Sequence, residues 1–191
     1  MGARPLAVYA RRTYRWPMGG PRDRNVFGAF ALMISDDILR ATSSQAPDAG
    51  PTASALALLA HQPELSIRML AAGVGLSHAG TVRLVDRLES EGLIERREHS
   101  TDGRARALHL TAAGQIMSEE VLGARDEVLS AGLAVLTPAE MTLFCEISER
   151  VLRSRLQGLE HSYRVCRLCS YADCKDCPID DELHERGAHG R

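Results

Sequence analysis

The hydrophobic pattern changes its period near the middle of the chain. From Ser77, a favourable N-cap, apolar residues return at helical spacing as far as Gly92, where a glycine that is free to adopt positive φ ends the pattern. Two short apolar runs then flank residues 100–104, a polar turn that contains an Asp-Gly pair. This pattern predicts a helix followed at once by a basic β-hairpin, which is the order of a winged helix-turn-helix.

Further helical patterns precede this stretch. Residues 25–44 have one apolar face, and after a loop rich in Ser, Pro and Gly two shorter helical segments cover residues 52–61 and 65–73. Residues 73–75, Gly-Val-Gly, form a tight turn before the next helix. A short helix, a turn and a second helix together make a helix-turn-helix.

Two long amphipathic helices are predicted after the hairpin. Thr111 caps the first, over residues 112–136, and Thr137 opens the second with a capping box that Glu140 completes and a stripe that continues to about Leu159. The apolar residues expected to face inwards are Ile116, Met117, Val121, Leu122, Val128, Leu129, Leu133, Met141, Phe144, Ile147, Val151 and Leu152. This is more apolar surface than one subunit needs, which favours a homodimer over packing within a single chain.

The helix after Ser77 has the width that fits the major groove of B-DNA, where residues near its N-terminus can reach base edges. The candidate DNA contacts on this helix are Ser77, His78, Thr81, Arg83 and Arg87. An arginine at the hairpin tip can reach the minor groove beside it. The order of helix, glycine and basic hairpin favours double-stranded DNA as the partner. The alternative is an amphipathic helix and a surface hairpin that bind no nucleic acid.

The same stretch resembles the DNA-binding core of the multiple-antibiotic-resistance-regulator (MarR) family of bacterial repressors. The resemblance covers this core closely and extends by element order over about residues 27–158. The matching residues are Leu76-Ser77, Thr81, Arg83-Leu84-Val85-Asp86-Arg87-Leu88-Glu89, Gly92-Leu93-Ile94-Glu95-Arg96, Asp102-Gly103-Arg104 and Leu110-Thr111-Ala112-Ala113-Gly114.

The resemblance implies a mainly α fold, with a winged helix-turn-helix core (three helices plus a β-hairpin wing) between long N- and C-terminal dimerisation helices. Asp102 and Arg104 would belong to the wing, and Arg104 would reach the minor groove. Gly103 and Gly80 depart from the family pattern and remove one charge and one hydroxyl contact. A symmetric dimer would place two recognition helices ~34 Å apart, on a palindromic operator.

The chain divides into three parts. Residues 1–24 form a basic arm whose composition predicts disorder, although an arm that contacts phosphate, or a translation start at Met18, is also compatible with it. Residues 25–160 form the winged-helix domain, with the DNA-reading core at about 50–114. Residues 161–191 form a Cys-rich tail, which the MarR resemblance does not explain.

Composition limits the location of the protein and the distribution of its charge. The net charge is −2 at pH 7, so positive charge that contacts DNA must be local. No apolar run approaches the ~18 residues that cross a bilayer, and the N-terminus lacks the apolar core of a signal peptide. We therefore expect a cytoplasmic protein with no membrane partner, whose cysteines are thiols or metal ligands before they are disulfides.

Four of the five cysteines form two Cys-X-X-Cys pairs separated by four residues: Cys166 and Cys169, then Cys174 and Cys177. Four thiolates suit a tetrahedral zinc ion or an iron–sulfur cluster, and the spacing does not choose between them. A pair of redox-active dithiols is the metal-free alternative. The fifth, Cys145, lies at an apolar position of the second long helix and is expected to be buried and inert. Of the nearby histidines, His161 and His184 are expected to be solvated.

No nucleophile with a base and an orienting group, and no phosphate-binding loop, points to an enzyme. The sequence therefore predicts a transcriptional regulator, a repressor, that senses redox state, iron or metal through its four-Cys tail and can also bind a small-molecule effector. The alternative is a redox or electron-transfer protein that docks through its winged helix. A DNA affinity that falls steeply with salt would separate the two.

Overall fold

The computed structural model describes residues 20–47, 50–98 and 106–187. These residues form eight helices and one two-stranded antiparallel sheet, so the predicted mainly α fold with a hairpin is confirmed. The elements are α1 (Pro21–Ser44), α2 (Thr52–His61), α3 (Ile67–Val74), α4 (His78–Ser90), β1 (Ile94–Glu98), β2 (Arg106–Leu110), α5 (Ala112–Leu133), α6 (Pro138–Arg155), α7 (Leu159–Val165) and α8 (Pro178–Glu185).

The first helix begins earlier than the sequence pattern indicates. Pro21 occupies its first turn, where the fixed φ of proline suits a helix and its missing N–H leaves nothing unpaired. The backbone N–H of Gly20 donates to Asp23 Oδ2 at 3.2 Å and closes this end. The predicted boundary of the basic arm is therefore wrong, because residues 21–24 are helical. Residues 1–19 of the arm lie outside the described residues.

Helix α2 lies at the centre of the core. Its sequence is apolar on every side, and every residue from Thr52 to Leu59 is buried. It packs against α3, α5 and β2. The largest side chains buried in this region are Leu56, Leu58, Leu59, Leu70, Leu88, Ile94 and Leu108. The DNA-reading core is therefore built around α2, and α4 packs on it through one face only.

The helix-turn-helix forms where the sequence predicts it. Ser66 caps α3 by accepting a hydrogen bond from the Met69 N–H at 3.3 Å, so that α3 begins two residues later than predicted. Gly75 ends α3 with a φ of 72°, a left-handed conformation that glycine adopts without strain. Ser77 then caps α4 by accepting from the Gly80 N–H at 3.1 Å.

The two strands pair as an antiparallel hairpin with Ile94 opposite Leu110. The base of the hairpin is closed by Thr111, whose hydroxyl donates to the carbonyl of Gly92 at 2.6 Å. Because Thr111 also caps α5, the hairpin and the first long helix share one anchoring residue. The turn between the strands, residues 99–105, lies outside the described residues.

The long helices leave much apolar surface exposed within one chain. Helix α6 has no buried residue, and it ends at Arg155 rather than near Leu159, because Leu156 is extended and Gly158 has a φ of 141°. Ile116, which was predicted to face inwards, is 59% exposed. The exposed large apolar residues of α1, α5 and α6 are Val26, Phe27, Leu32, Met33, Leu39, Ile116, Leu143, Phe144, Ile147, Val151 and Leu152.

The Cys-rich tail contains two helices that the sequence pattern did not reveal. Helix α7 packs on α3 of the DNA-reading core, and α8 packs on α6. Tyr163 of α7 joins the main core, whereas Ile179 and Leu183 of α8 form a small separate core with Leu156. The tail is therefore packed against both the DNA-reading core and the long helix.

Within the described part of the chain, no single helix has both the length and the apolar composition needed to cross a membrane. Helices α5 and α6 pass that test only together, as a pair bent by 118°.

Candidate DNA interface and cysteine cluster

Three side chains at the N-terminal half of α4, including its cap, are open to solvent. Ser77, His78 and Arg83 are exposed there, at the end of the helix that the preceding turn projects from the core. The Ser77 oxygen accepts from Gly80, which leaves its O–H free to donate outwards. A hydroxyl, an imidazole and a guanidinium on one exposed helix end are donors suited to base edges and phosphates. These three predicted residues are therefore exposed at the same half of α4, and their contacts with DNA stay predictions.

Thr81 does not belong to this exposed set, and its prediction as a DNA contact is corrected. It is fully buried, and its hydroxyl donates to the carbonyl of Ser77 at 3.0 Å. Threonine is able to make this bond back to its own helix, and here the bond directs the side chain towards the core. Thr81 therefore holds α4 in place.

Arg87 is also engaged within the chain. Its Nη2 donates to Thr52 Oγ1 at 2.9 Å, and its Nε lies 3.9 Å from Glu91 Oε1. It stands in the last turn of α4, away from the end that would enter a groove. Its guanidinium thus joins α4 to the start of α2, and its contact with DNA stays a prediction.

Strand β1 is tied to α4 by an arginine. Arg96 forms ion pairs with Asp86 and Glu89, two carboxylates one turn apart on the exposed side of α4. These contacts set the base of the hairpin beside the recognition helix. The predicted wing residues Asp102 and Arg104 lie outside the described residues, so the structure leaves their roles as predictions.

The four cysteines of the tail line one cavity of about 330 Å³. Cys166 and Cys169 enter it from the end of α7, and Cys174 and Cys177 from the start of α8. All four are free thiols and partly buried. The far wall of the cavity comes from α2 of the DNA-reading core, including Leu58. The two Cys-X-X-Cys pairs predicted as one site therefore face a common space.

Within each pair the thiols are hydrogen-bonded to each other. The bond from the Cys166 thiol lowers the pKa of Cys169, and the same bond raises the pKa of Cys166. Burial raises the pKa of Cys174 to about 11, with smaller contributions from Cys177. Among the described residues, no three His, Cys, Asp or Glu side chains converge closely enough to hold a metal ion in this arrangement. The sulfurs therefore stand as two pairs across the cavity.

A histidine that the sequence analysis missed also lines this cavity. The His61 ring stacks on Tyr171 with centroids 5.1 Å apart and parallel planes. Its Nδ1 is buried without a well-aligned hydrogen bond in the described part of the chain, and burial lowers the pKa of the imidazole more than the Ala57 backbone raises it. No sequence signal could have found His61, because it ends an apolar helix more than 100 residues before the first of these cysteines.

The two histidines of the tail and Cys145 of α6 complete the set of residues considered in the sequence. The ring of His161 accepts from the Gln157 N–H at 3.3 Å, and His184 Nδ1 is hydrogen-bonded to the carbonyl of Asp180 at 2.7 Å. Cys145 is exposed in the single chain, so its predicted burial does not occur within one subunit.

These features define the class: a winged helix-turn-helix protein with an exposed recognition helix and long helices whose apolar faces are uncovered. The model of the MarR family matches residues 49–105, the segment from the loop before α2 to the hairpin. The chain is 30% identical over 99 residues to the HTH-type transcriptional repressor MdtR of Bacillus subtilis, covering 52% of this chain and 64% of that protein. It is 34% identical over 91 residues to the transcriptional repressor MprA of Escherichia coli, covering 48% of this chain and 51% of that protein.

Solved structures share the same architecture. A MarR family protein from Bacillus stearothermophilus has a TM-score of 0.61 and 22% identity, covering 71% of this chain and 96% of that one. The Mycobacterium tuberculosis MarR family protein Rv2887, solved in complex with DNA, has a TM-score of 0.54 and 18% identity, covering 72% and 98%. The chain is thus similar to MarR family regulators, and the family model covers most of its DNA-reading core. Its matches span about half to two thirds of the length of the two curated repressors.

Proposed function

We propose that this protein is a dimeric, sequence-specific DNA-binding transcriptional regulator that acts as a repressor. The observation that carries the proposal is the exposed end of α4, where His78 and Arg83 are open to solvent while the other face of the helix is buried in the core. Positive charge at this end is local, as an overall charge of −2 requires. Two curated relatives that are named transcriptional repressors support repression rather than activation.

The uncovered apolar faces support a homodimer. Phe27 on α1 is 63% exposed and Leu143 on α6 is 56% exposed, although both helices are long and well formed. Phe30 of α1 and Phe144 of α6 meet edge to face with ring centroids 5.9 Å apart, so the two faces adjoin and form one continuous patch. A second copy of the chain would cover this patch and place two α4 helices on a palindromic operator.

A small-molecule effector has a candidate site beside this patch. A cavity of about 300 Å³ lies between α1 and the start of the tail, with apolar residues on α1 and the guanidinium groups of Arg125 and Arg167 on its other side. An apolar wall facing two cations suits a small organic anion. Such a ligand would act where the long helices meet the DNA-reading core.

We further propose that the four-Cys tail is the sensor of the regulator, through zinc, an iron–sulfur cluster or thiol oxidation. Four partly buried thiols facing one cavity support this role, and so does the packing of the tail against the DNA-reading core. A protein that used these cysteines only for electron transfer would not need an exposed recognition helix.

DNA binding is tested by selecting duplexes from a randomised pool and measuring affinity for the selected sequence at several salt concentrations. We expect a palindrome with half-sites about one turn apart, and an affinity that falls linearly with salt on logarithmic axes. Arg83→Ala should weaken binding by about 1–3 kcal/mol if the guanidinium reads a base. Arg40→Ala is the matched control, because Arg40 is exposed on α1 and pairs with Asp37 of the same helix. Failure to enrich any duplex would refute the proposal of a DNA-binding regulator. It would favour the alternative of a redox or electron-transfer protein.

A further inference from the structure

We propose that the cysteine cluster binds one thiophilic metal centre that joins α7 to α8, and that this centre thereby fixes the helix-turn-helix relative to the long helix α6. The inference rests on the proposed DNA-binding function and adds the physical route by which the tail acts. It depends on where the two short helices of the tail are anchored.

Helix α7 is anchored on the helix-turn-helix. Tyr163 is 6% exposed within the main core, and a Cβ placed on Gly73 of α3 would lie 3.4 Å from the Tyr163 Cβ, so the two backbones approach closely. Arg68 of α3 pairs with Glu160 of α7 at 2.7 Å. A movement of α7 would therefore be transmitted to α3, which supports the recognition helix.

Helix α8 is anchored on the long helix α6. Arg153 of α6 lies 3.2 Å from Asp181 and 3.1 Å from Glu185, which stand one turn apart on α8. The Nη1 of Arg186 donates a hydrogen bond to the carbonyl of Leu156 at 2.8 Å, just after the end of α6. Arg153 donates a hydrogen bond to Glu185, which holds the guanidinium and raises its pKa, so this anchor stays charged at physiological pH.

The cysteines stand at the junction of these two anchored helices. Cys166 follows α7 and Cys177 precedes α8, and the backbone turns within each pair, with Cys169 N–H donating to the Cys166 carbonyl at 2.9 Å. Each turn directs two sulfurs into the shared cavity of about 330 Å³. A tetrahedral centre would require rotation about the side-chain bonds to bring the two pairs together.

Binding of the centre has a defined proton balance and mechanical effect. Each ligating thiol loses its proton to solvent and bonds to the metal as a thiolate, with no change in the oxidation state of sulfur. Two ligands come from the α7 side and two from the α8 side, so the bound metal cross-links the helix-turn-helix to α6. When the spacing of the two α4 helices in a dimer is already fixed, the protein loses less conformational freedom on binding DNA. We therefore expect the metal-loaded protein to bind its operator more tightly than the metal-free protein does.

The metal centre is tested on the full chain purified without oxygen. We expect either one zinc per chain and no colour, or iron with equimolar sulfide and a brown chromophore, and both results support the site. After removal of the metal, one equivalent of cobalt(II) should produce thiolate-to-cobalt absorption. The double variant Cys166→Ser, Cys174→Ser should lose these signals, whereas Cys145→Ser, a change on the exposed face of α6, should keep them. A chain that binds neither native metal nor cobalt overturns the proposal.

The mechanical link is tested by comparing loaded and metal-free protein. We expect the affinity for the selected duplex to differ by about fivefold or more, and amide hydrogen exchange in α3 to slow on loading. Arg153→Ala should retain the metal and weaken both effects, because it removes the ion pairs between α6 and α8. Arg155→Ala, an exposed change two residues away, should retain them.

The outcomes separate this inference from the proposed function. Equal affinity and equal α3 exchange with and without metal would overturn the link while leaving the DNA-binding function intact. Slower α3 exchange on loading, in a protein that selects no duplex, would support the link and refute the regulator.

Discussion

The backbone carbonyl of Leu93 occupies the space that a side chain on Gly114 would need. A Cβ built on Gly114 would lie 2.0 Å from the Leu93 oxygen, well inside van der Waals contact. The same oxygen accepts from the Thr111 N–H at 3.1 Å, so the first turn of α5 sits directly on the base of the hairpin. The absence of a side chain at Gly114 is therefore what allows the wing and α5 to meet.

Replacement of this glycine should destabilise the protein. Gly114→Ala forces a backbone atom to move, and we expect a loss of about 1–3 kcal/mol in the free energy of unfolding. Gly123→Ala, in the same helix with no atom within 4 Å of its added Cβ, should stabilise it by up to about 1 kcal/mol through helix propensity. Urea denaturation of both variants measures the difference, and equal stabilities would contradict the close contact.

Removal of the Thr81 hydroxyl should leave DNA binding intact. Thr81→Val keeps the shape of a buried side chain, and the Ser77 carbonyl still accepts from the Thr81 backbone N–H at 2.9 Å. The expected cost is about 0.5–1.5 kcal/mol of stability, with no loss of affinity for the selected duplex. Titration of correctly folded variant and parent provides the comparison. A loss of affinity as large as that of Arg83→Ala would return Thr81 to the set of DNA contacts.

A charge on the uncovered face of α6 should separate the subunits. Ile147 is 42% exposed in the single chain, and Ile147→Glu would place a carboxylate in the apolar dimer interface that we propose. We expect a monomer by sedimentation velocity with a helical circular dichroism spectrum like that of the parent, because no α6 residue is buried within one chain. Thr142→Glu, on the opposite side of α6, should remain dimeric. A parent that is already monomeric would refute the dimer.

The capping box of α6 predicts a pH dependence of stability. Hydrogen bonds from the Thr137 backbone and side chain lower the pKa of Glu140 below its ordinary value of 4.5. Because the folded state holds the ionised form, this contribution is fully present above pH 4.5 and is lost as the pH falls through the lowered pKa.

Glu140→Ala should therefore melt below the parent at pH 7, and the gap should narrow as the pH falls below 4.5. Glu146→Ala, an exposed change on the same helix, is the control for helix propensity. A melting-temperature gap that is independent of pH would argue against an ionised cap.

Much of the fold could be predicted from the sequence because its signals are local. Ser77, Thr111 and Thr137 each accept from a backbone N–H three residues later, and each cap was predicted from residue type and position alone. The resemblance to the MarR family was likewise carried by a continuous stretch of residues. A short-range hydrogen bond needs no knowledge of the remainder of the chain.

Side-chain direction could not be predicted so well. In the sequence, Thr81 stands near the start of the recognition helix, where base-reading residues occur. In the structure its side chain lies on the face of α4 that is turned towards the core, and its hydroxyl donates to the carbonyl of Ser77. Arg87 lies on the same helix and donates to Thr52, 35 residues away. The start of α1 was also missed, because Pro21 and the arginines beside it have the composition of a disordered arm.

The sequence by itself determined the order of the helices and hairpin, the caps that bound them and the pairing of the cysteines, since each depends on residues close together in the chain. Only the tertiary structure decided what those cysteines face. His61 reaches the cavity from α2, Tyr163 fixes α7 on α3, and Arg153 holds α8 on α6. These contacts join residues far apart in sequence, and they arise from burying apolar surface and pairing charge in the folded chain, which no local pattern records.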